Sequence, residues 1–436
     1  MNAKPVLIRG GRLIDPAQKM DAVTDIRIES GKVKTIGTNA KADGAKVIDA
    51  AGKVVVPGFI DLHVHFRTPG QEHKESILTG ARAAVRGGFT TVCTMANTSP
   101  AVDSAPMLEY VIGQAAKVGL LNILPFAAVT QGLEGQTLTD MGKLKETGAV
   151  AFSDDGVPVM IAGVMRRALQ YTKSVGLPVI AHCEDTTLSA GGSVHEGITA
   201  TCCGLRGIPS EAESVMIARD LLLAQATGGR LHIAHVSTRS GVELVRAAKK
   251  RGVRVTAEVT PHHLTLTDQA AAGFDPRFKM NPPLRTKQDQ SALIEGLKDG
   301  TIDAIVTDHA PHTLAEKEVE LEHAPFGVVG LETAFAVLYT ELVVTGKLEL
   351  GTLIAALTCR PAAVIGIDRG TLAPGSPADI TLLDLDQVWI VRPDQFESKG
   401  ANTPFVGQEL RGQVSDVLVA GSPVFGGKQI INGASS

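Results

Sequence analysis

Val54-Val55-Val56-Pro57-Gly58-Phe59-Ile60-Asp61-Leu62-His63-Val64-His65 is an apolar run that closes on two histidines two residues apart. Residues two apart on a strand point the same way, so His63 and His65 face one side together. Seven further apolar runs follow: Thr90–Asn97, Asn122–Thr130, Val150–Asp155, Pro178–Glu184, Leu231–Ser237, Arg254–Thr260 and Ile302–His309. Helical patterns lie between them, among them Ser76–Arg86, Val164–Ser174, Ser210–Ala226 and Gly241–Lys250. Strands that are apolar throughout, rather than alternating, belong to a parallel sheet covered on both faces. Eight β-α units in roughly 310 residues predict an α/β fold, a (β/α)8 TIM barrel with insertions. The rival is a doubly wound sheet, but its usual phosphate loop is missing. The chain has no Gly-x-Gly and no Gly-Lys followed by Ser or Thr.

The two ends of the chain share a different texture, short strands broken by turn residues. Val6-Leu7-Ile8-Arg9 precedes Gly10-Gly11, and Asp25-Ile26-Arg27-Ile28 precedes Gly31. Near the other end Asp379-Ile380-Thr381-Leu382-Leu383 is followed by Val414–Val419 before Gly421-Ser422-Pro423. Chain termini commonly lie close together. The expected organisation is a small β-sandwich from residues 1–55 and 366–436 flanking a barrel over 56–365.

Polar residues close the predicted strands. The first ends in His63 and His65, the fourth in Asp154-Asp155, the fifth in His182, the sixth in His235 and the eighth in Asp308. In a barrel these ends converge on the face where active sites sit. A single histidine at a strand end is ordinarily a hydrogen-bonded structural residue, and His-x-His alone is a weak motif. Four imidazoles and two carboxylates reaching one place are the ligand set of a divalent transition metal, zinc foremost. Buried carboxylates without compensation would cost several kcal/mol, which a cation offsets.

The remaining histidines are weaker candidates. His232 is out of phase with His235, His195 and His323 fall in loops, and His73 follows the first strand without a role. His262-His263 is open between a site and a structural role; His309 is expected to orient a neighbour, and His312 to touch substrate. A serine nucleophile is disfavoured because Gly-x-Ser-x-Gly is absent. Cys183, beside His182, would face away from the site.

Composition excludes several classes. The 436 residues are 44 % apolar and 20 % charged, enough for a large core and too apolar for disorder. The 42 Lys+Arg against 46 Asp+Glu give a net charge of −4, with one Trp, three Tyr and twelve Phe. Neither a phosphate-backbone surface nor base-stacking platforms follow from that, so no nucleic-acid partner is expected. The Met-Asn-Ala-Lys start has no apolar leader core and no hydrophobic run reaches membrane-spanning length. A cytoplasmic protein without a membrane partner is expected. Five scattered cysteines without C-x-x-C give no disulfide framework and no thiolate zinc site, and Cys202-Cys203 reads as a pair of buried thiols.

Taken together, several motifs resemble the amidohydrolase superfamily and, within it, the bacterial dihydroorotases with an aspartate bridging ligand. They are Asp61-Leu62-His63-Val64-His65-Phe66-Arg67-Thr68-Pro69-Gly70, Met95-Ala96-Asn97-Thr98, Phe152-Ser153-Asp154-Asp155-Gly156, Ala181-His182-Cys183-Glu184 and Ile233-Ala234-His235-Val236-Ser237. Lys279-Met280-Asn281-Pro282-Pro283-Leu284-Arg285, Thr307-Asp308-His309-Ala310-Pro311-His312 and Pro325-Phe326-Gly327 complete the set.

The resemblance implies that His63, His65 and Asp308 hold one metal, that His182 and His235 hold a second, and that Asp155 bridges them. One or two zinc ions are expected, with two favoured. Asp155 is preferred to Asp154 only by its place in the motif. The fourth strand end has no lysine, which argues against hydantoinases and dihydropyrimidinases. Implied further are Asp308 as the catalytic proton carrier, and His65, Arg67, Asn97, Asn281, His312, Phe326 and Gly327 as substrate contacts. Arg67, Asn97 and His312 would grip a carboxylate. The implied reaction is the reversible opening of (S)-dihydroorotate to N-carbamoyl-L-aspartate in pyrimidine biosynthesis. Alternatives are another cyclic amidohydrolase, such as an allantoinase, or a scaffold subunit of aspartate transcarbamoylase. A homo-oligomer is expected, and a complex with that transcarbamoylase stays open. The charged loop Thr313–Val328 reads equally as a lid or as a static loop.

Overall fold

The computed structural model describes residues 4–38 and 40–431. Residues 1–3 and 39 of the expected 1–55 segment, and 432–436 of the expected 366–436 segment, lie outside the described residues.

The N-terminal strands are β1 (Val6–Asp15), β2 (Met20–Glu29), β3 (Lys32–Gly37), β4 (Lys46–Asp49) and β5 (Val54–Pro57). β1 pairs antiparallel with β2, from Val6 opposite Ile28 to Asp15 opposite Met20, and parallel with β4 and β5. Eight parallel barrel strands follow. They are β6 (Phe59–Val64), β7 (Phe89–Thr94), β8 (Asn122–Pro125), β9 (Phe152–Ser153), β10 (Val179–Ala181), β13 (Leu231–Ile233), β14 (Val255–Val259) and β15 (Ala304–Ile305). A small parallel pair, β11 (Val194–His195) and β12 (Gly207–Ile208), stands outside the barrel. The chain ends in β16 (Ile380–Ile390), β17 (Glu409–Val419), β18 (Ser422–Gly426) and β19 (Gln429–Ile430).

β5 joins the two ends of the chain into one nine-stranded sheet. It lies between β1 and β16, with Val54 opposite Leu383 and Pro57 opposite Ile380. That sheet keeps a core of its own, including Ile8, Leu13, Ile26, Ile28, Val55, Ile380, Leu382 and Leu418. The run from Val54 to His65 is therefore two strands in two domains. Pro57-Gly58 breaks it, and Gly58 is required there, because a Cβ would come within 2.1 Å of the Thr90 hydroxyl.

The barrel strands form two parallel sheets, β6-β7-β8 and β9-β10-β13-β14-β15. Single parallel bridges close the ring, Ala127 with Phe152 and Val64 with His309. The amide of Ser153 donates to the Ala127 carbonyl at 2.9 Å, and that of His65 to the His309 carbonyl at 2.9 Å. The fold is the (β/α)8 barrel with a β-sandwich built from both termini. Its helices pack apolar faces on the strands; Ile77–Arg86 buries Ile77, Ala81, Ala84 and Val85 and opens with a Ser76–Thr79 capping box. An apolar cluster draws Ile60, Leu62, Cys93, Phe126, Ile180, Ala234 and Ala304 from six of the strands or the residue just after them, the interior packing of a barrel.

The strands are shorter than the sequence suggests, and the difference matters for the site. Asp155 lies two residues beyond β9, His182 just after β10, His235 two beyond β13 and Asp308 three beyond β15. Pairing ends where these polar side chains begin, which frees the backbone to aim them. Arg67, His235 and Asp308 hold left-handed backbone, with φ of 55°, 29° and 48°. Such conformations cost on the order of 1–3 kcal/mol each and gather at functional sites.

Candidate metal centre and active site

Six side chains meet at the barrel mouth. His63 Nε2 lies 3.4 Å from Asp155 Oδ1 and 3.5 Å from Asp308 Oδ1. His65 Nε2 lies 3.2 Å from Asp308 Oδ1 and 3.5 Å from Asp155 Oδ2. On the other side Asp155 Oδ1 faces His182 Nδ1 at 3.6 Å and His235 Nε2 at 3.5 Å. Donors held roughly 2.0–2.2 Å from a tetrahedral ion are about 3.3–3.6 Å apart, so these spacings suit a metal. Two subsets, His63-Asp155-His235 and His63-His65-Asp308, are compact enough for one ion each. All six are buried, and His63 Nε2 and Asp155 Oδ1 have no hydrogen-bond partner. Such orphaned donors among carboxylates fit a cation.

The electrostatics agree. Burial opposes charge on His63, yet Asp155 and Asp308 hold its pKa well above the ordinary value. Burial likewise opposes charge on His182, but Asp155 and Glu184 lift it to about 10. Against burial, Asp155 and Asp308 are driven well below the usual carboxylate range, His63 being the largest of the opposing causes. Asp155 and Asp308 thus favour positive charge on His63, and Asp155 with Glu184 on His182, whereas burial, the largest cause, holds His65 below its ordinary value.

Asp154 and Asp155 part company. The Asp154 carboxylate accepts from the Val129 amide at 2.7 Å, the Thr130 amide at 3.1 Å and the Thr130 hydroxyl at 2.5 Å. It buttresses the loop after β8, with burial pushing its pKa up to about 6.

A second ring of residues fixes the first. Glu258 on β14 takes His63 Nδ1 at 2.8 Å and His232 Nε2 at 2.9 Å. Although buried, it stays ionised with a pKa near about 2 because His232 and His63 face it. Asp61 accepts from the His63 amide and from the Thr307 amide and hydroxyl, tying the first strand to the turn before Asp308. Glu184 takes His182 Nε2 at 2.8 Å on the same oxygen that accepts from Asn281 Nδ2 at 2.8 Å. The sequence reading missed Glu258, Asp61 and Glu184. A carboxylate inside an apolar strand, as in Ala257-Glu258-Val259, is the signal that marks the first of them.

The expected substrate contacts divide into two groups. A cavity of about 190 Å³ is lined by His65, Arg67, Asn97, Asn281, Phe326 and Gly327 along with Asp155, His182, His235 and Asp308. It is smaller than the ~300–1,000 Å³ of drug-sized sites and suits a small metabolite. Two larger cavities, of about 490 and 460 Å³, lie elsewhere and their linings hold no such cluster. Asn97 accepts from His65 Nδ1 at 3.0 Å and donates to the Asp155 carbonyl at 3.1 Å, which leaves one amide hydrogen toward the cavity. Arg67 donates through Nε to the Pro311 carbonyl at 3.4 Å and, among the described residues, forms no ion pair.

His312 departs from expectation. It stands behind the cavity wall, donating Nε2–H to the Phe326 carbonyl at 2.8 Å. Burial, Arg67 and Lys317 push its pKa down to about 3, and its Nδ1 lies 3.7 Å from the Glu316 carboxylate without a hydrogen bond. Gly327, at φ 128°, packs against it; a Cβ there would come 3.1 Å from His312 Nε2.

Other histidines are structural or distant. His309 Nε2 meets Glu75 at 3.2 Å, His195 lies 3.1 Å from Arg285, and His73 and His323 are exposed. His263 is bound by Thr260 and the Pro282 carbonyl, whereas His262 Nε2 is buried without a partner. All five cysteines are free, with Cys183 against Asp220 away from the metal cluster. Cys202 is exposed and Cys203 half-buried, contrary to the buried pair expected, because the short helix Ile198–Cys203 turns Ala200 inward. Lys317 is buried in the 313–328 loop, donating to the carbonyls of Pro276, Lys279 and Pro325 at 3.1, 3.2 and 2.8 Å. No helix among the described residues is long and apolar enough to cross a membrane.

An eight-stranded barrel with this cluster at its mouth and a sandwich from both termini is an amidohydrolase. Solved structures agree on the class. The chain is 28 % identical to the L-hydantoinase (dihydropyrimidinase) from Arthrobacter aurescens, with a TM-score of 0.89 over 99 % of this chain and 98 % of that one. The dihydropyrimidinase from Brevibacillus agri gives 25 %, 0.86, 98 % and 96 %. A family model described as dihydro-orotase-like matches residues 52–241. The chain is 54 % identical to the dihydroorotase of Pelotomaculum thermopropionicum, over 96 % of this chain and 98 % of that one. Against the dihydroorotase of Geobacter metallireducens it is 50 % identical, over 96 % and 99 %. The chain belongs to the dihydroorotase family.

Proposed function

We propose that the protein is a dihydroorotase, opening and closing the ring of (S)-dihydroorotate and N-carbamoyl-L-aspartate in pyrimidine biosynthesis, with zinc at the barrel mouth. The observation that carries the reading is the Asp155 carboxylate set between two groups of donors, beside the Arg67 guanidinium, which forms no ion pair among the described residues. In this assignment His63, His65 and Asp308 would hold one ion and His182 and His235 a second, with Asp155 shared between the two groups. A divalent ion held there would supply an acidified water near neutral pH and positive charge to polarise a substrate carbonyl.

The chain's own residues do the rest. Arg67 is placed to take the substrate carboxylate bidentately, with the spare Asn97 amide hydrogen beside it. Asn281 and the Phe326-Gly327 backbone border the ring. Asp308 accepts the proton of the attacking water and passes it to the departing amide nitrogen. His312 serves from behind, holding the Phe326 carbonyl.

The solved neighbours named above make a hydantoin or dihydropyrimidine ring the second reading. Two features disfavour it: the Ser153-Asp154-Asp155 strand end has no lysine, and Arg67 asks for a carboxylate that those rings lack. A homo-oligomer, a complex with aspartate transcarbamoylase and a cytoplasmic location go with the proposal, and sedimentation alone and with that partner tests the assembly. The deciding experiment pairs metal analysis with a panel of dihydroorotate, dihydrouracil, hydantoin and allantoin. Dihydroorotate turnover with up to two zinc ions per chain supports the proposal, and turnover of only the uncharged rings overturns it.

A further inference from the structure

The terminal domain reaches into the barrel mouth. Between β16 and β17 the chain leaves the sheet, and residues 397–402 lie across the loops that follow β15. Glu332 accepts from the amides of Glu397 and Ser398 at 2.9 and 3.1 Å. The Ser398 hydroxyl donates to Glu75, the residue that holds His309. Gly400 fits between Pro311 and Val329, where a Cβ would stand 2.7 Å from each side chain.

Asn402 ends this strap and is 4 % exposed. Its Nδ2 donates to the Ala310 carbonyl at 3.2 Å and to the Gly327 carbonyl at 3.1 Å, and its Oδ1 accepts from the His312 amide at 3.2 Å. Its own carbonyl accepts from the Val329 amide at 3.2 Å. One amide side chain thus fastens the segment leaving Asp308 to the segment carrying Phe326 and Gly327. Ala310, Phe326 and Gly327 line the cavity, and Asn402 does not.

We infer that Asn402 is a positioning residue through which the terminal domain completes the substrate cavity, setting the distance between its two walls. The substrate part of this inference rests on the dihydroorotase reading; the clasp itself does not. Full-length metal-loaded Asn402→Ala and Asn402→Asp variants test it. Asp keeps the shape and the acceptor for His312 while losing both donated bonds, so it serves if Ala fails to fold. Small displacements of positioning groups cost up to ~100-fold. On that scale we expect KM for dihydroorotate to rise roughly ten-fold or more, while kcat and metal content change less than about threefold. Hydrogen exchange should quicken over 310–312 and 326–330 and stay unchanged elsewhere in the barrel. Unchanged KM, or KM, kcat and metal content failing in step, overturns the inference. If the wild type ignores dihydroorotate, exchange decides alone: local quickening supports the clasp, and unchanged or general quickening overturns it.

Discussion

Glu258 meets His63 at 2.8 Å, on the ring nitrogen opposite the one that faces Asp155 and Asp308. The bond keeps hydrogen on Nδ1, so that the neutral ring would offer the Nε2 lone pair to a metal. With His232 on its other oxygen, Glu258 is held on both sides.

Losing that carboxylate charge should therefore loosen metal. Partners of this kind are typically worth ~10–100-fold in metal affinity. Glu258→Gln should show that loss in chelator competition while its circular dichroism stays native. Retention of zinc equal to the wild type would sink the role given to Glu258.

The two neighbouring aspartates should behave differently. Asp155→Asn should lower zinc content, because it removes the charge between the donor sets. Asp154→Asn should keep zinc and lose stability by about 1–3 kcal/mol, as the amides of Val129 and Thr130 exchange a carboxylate oxygen for a neutral one and the Thr130 hydroxyl loses its acceptor. Denaturant melts with metal analysis separate the two, and zinc loss in Asp154→Asn alone would reverse the assignment.

Arg67 should govern substrate choice without holding metal. A charge-assisted bidentate contact is worth ~1.5–3 kcal/mol, or roughly ten- to hundred-fold in binding. Arg67→Met should lower kcat/KM for dihydroorotate by at least that factor with zinc unchanged. Normal kcat/KM in this variant places the carboxylate elsewhere.

Glu316 gives the mouth a pH dependence. Burial works against its charge, but Lys74 at 2.7 Å and the Thr313 amide and hydroxyl hold its pKa at about 2, below the usual 4.5. A lowered carboxylate stabilises the folded form fully above its unfolded value and loses that contribution as pH falls. The helix Leu314–Lys317 should thus open between about pH 4.5 and 2, and Glu316→Gln should reproduce the opening at pH 7. Hydrogen exchange over 313–318, corrected for its intrinsic pH dependence, reads this directly. Equal protection in both proteins at pH 7 would rule it out.

The sequence discloses the parts of the site that its own periodicity aims. His63 and His65 show on inspection because two residues make one strand repeat, and Asp155, His182, His235 and Asp308 because each follows an apolar run. The split of Val54–His65 was harder to see. Pro57-Gly58 marks a turn, but both halves are equally apolar, and only pairing partners from the two ends of the chain tell them apart. Glu184 and Asn281 share one hydrogen bond across 97 residues, and Asn402 meets His312 across 90. Contacts of that span leave no local pattern, so Asn402 reads as one more loop residue. The motif marks His312, whereas the direction of its Nε2–H depends on the Phe326 carbonyl, 14 residues away.

The position of β5 also sets an order of events during synthesis. One of its two neighbours, β1, is made first, whereas the other, β16, begins roughly 320 residues after Pro57 leaves the ribosome. At ~5–20 residues per second this is an interval on the order of tens of seconds. Throughout it, Val54-Val55-Val56 presents an apolar strand edge with free backbone groups, the kind of template that recruits other chains. The strand leading into His63 and His65 is therefore open to mispairing in the growing polypeptide, and its protection arrives only with about the last eighth of the chain.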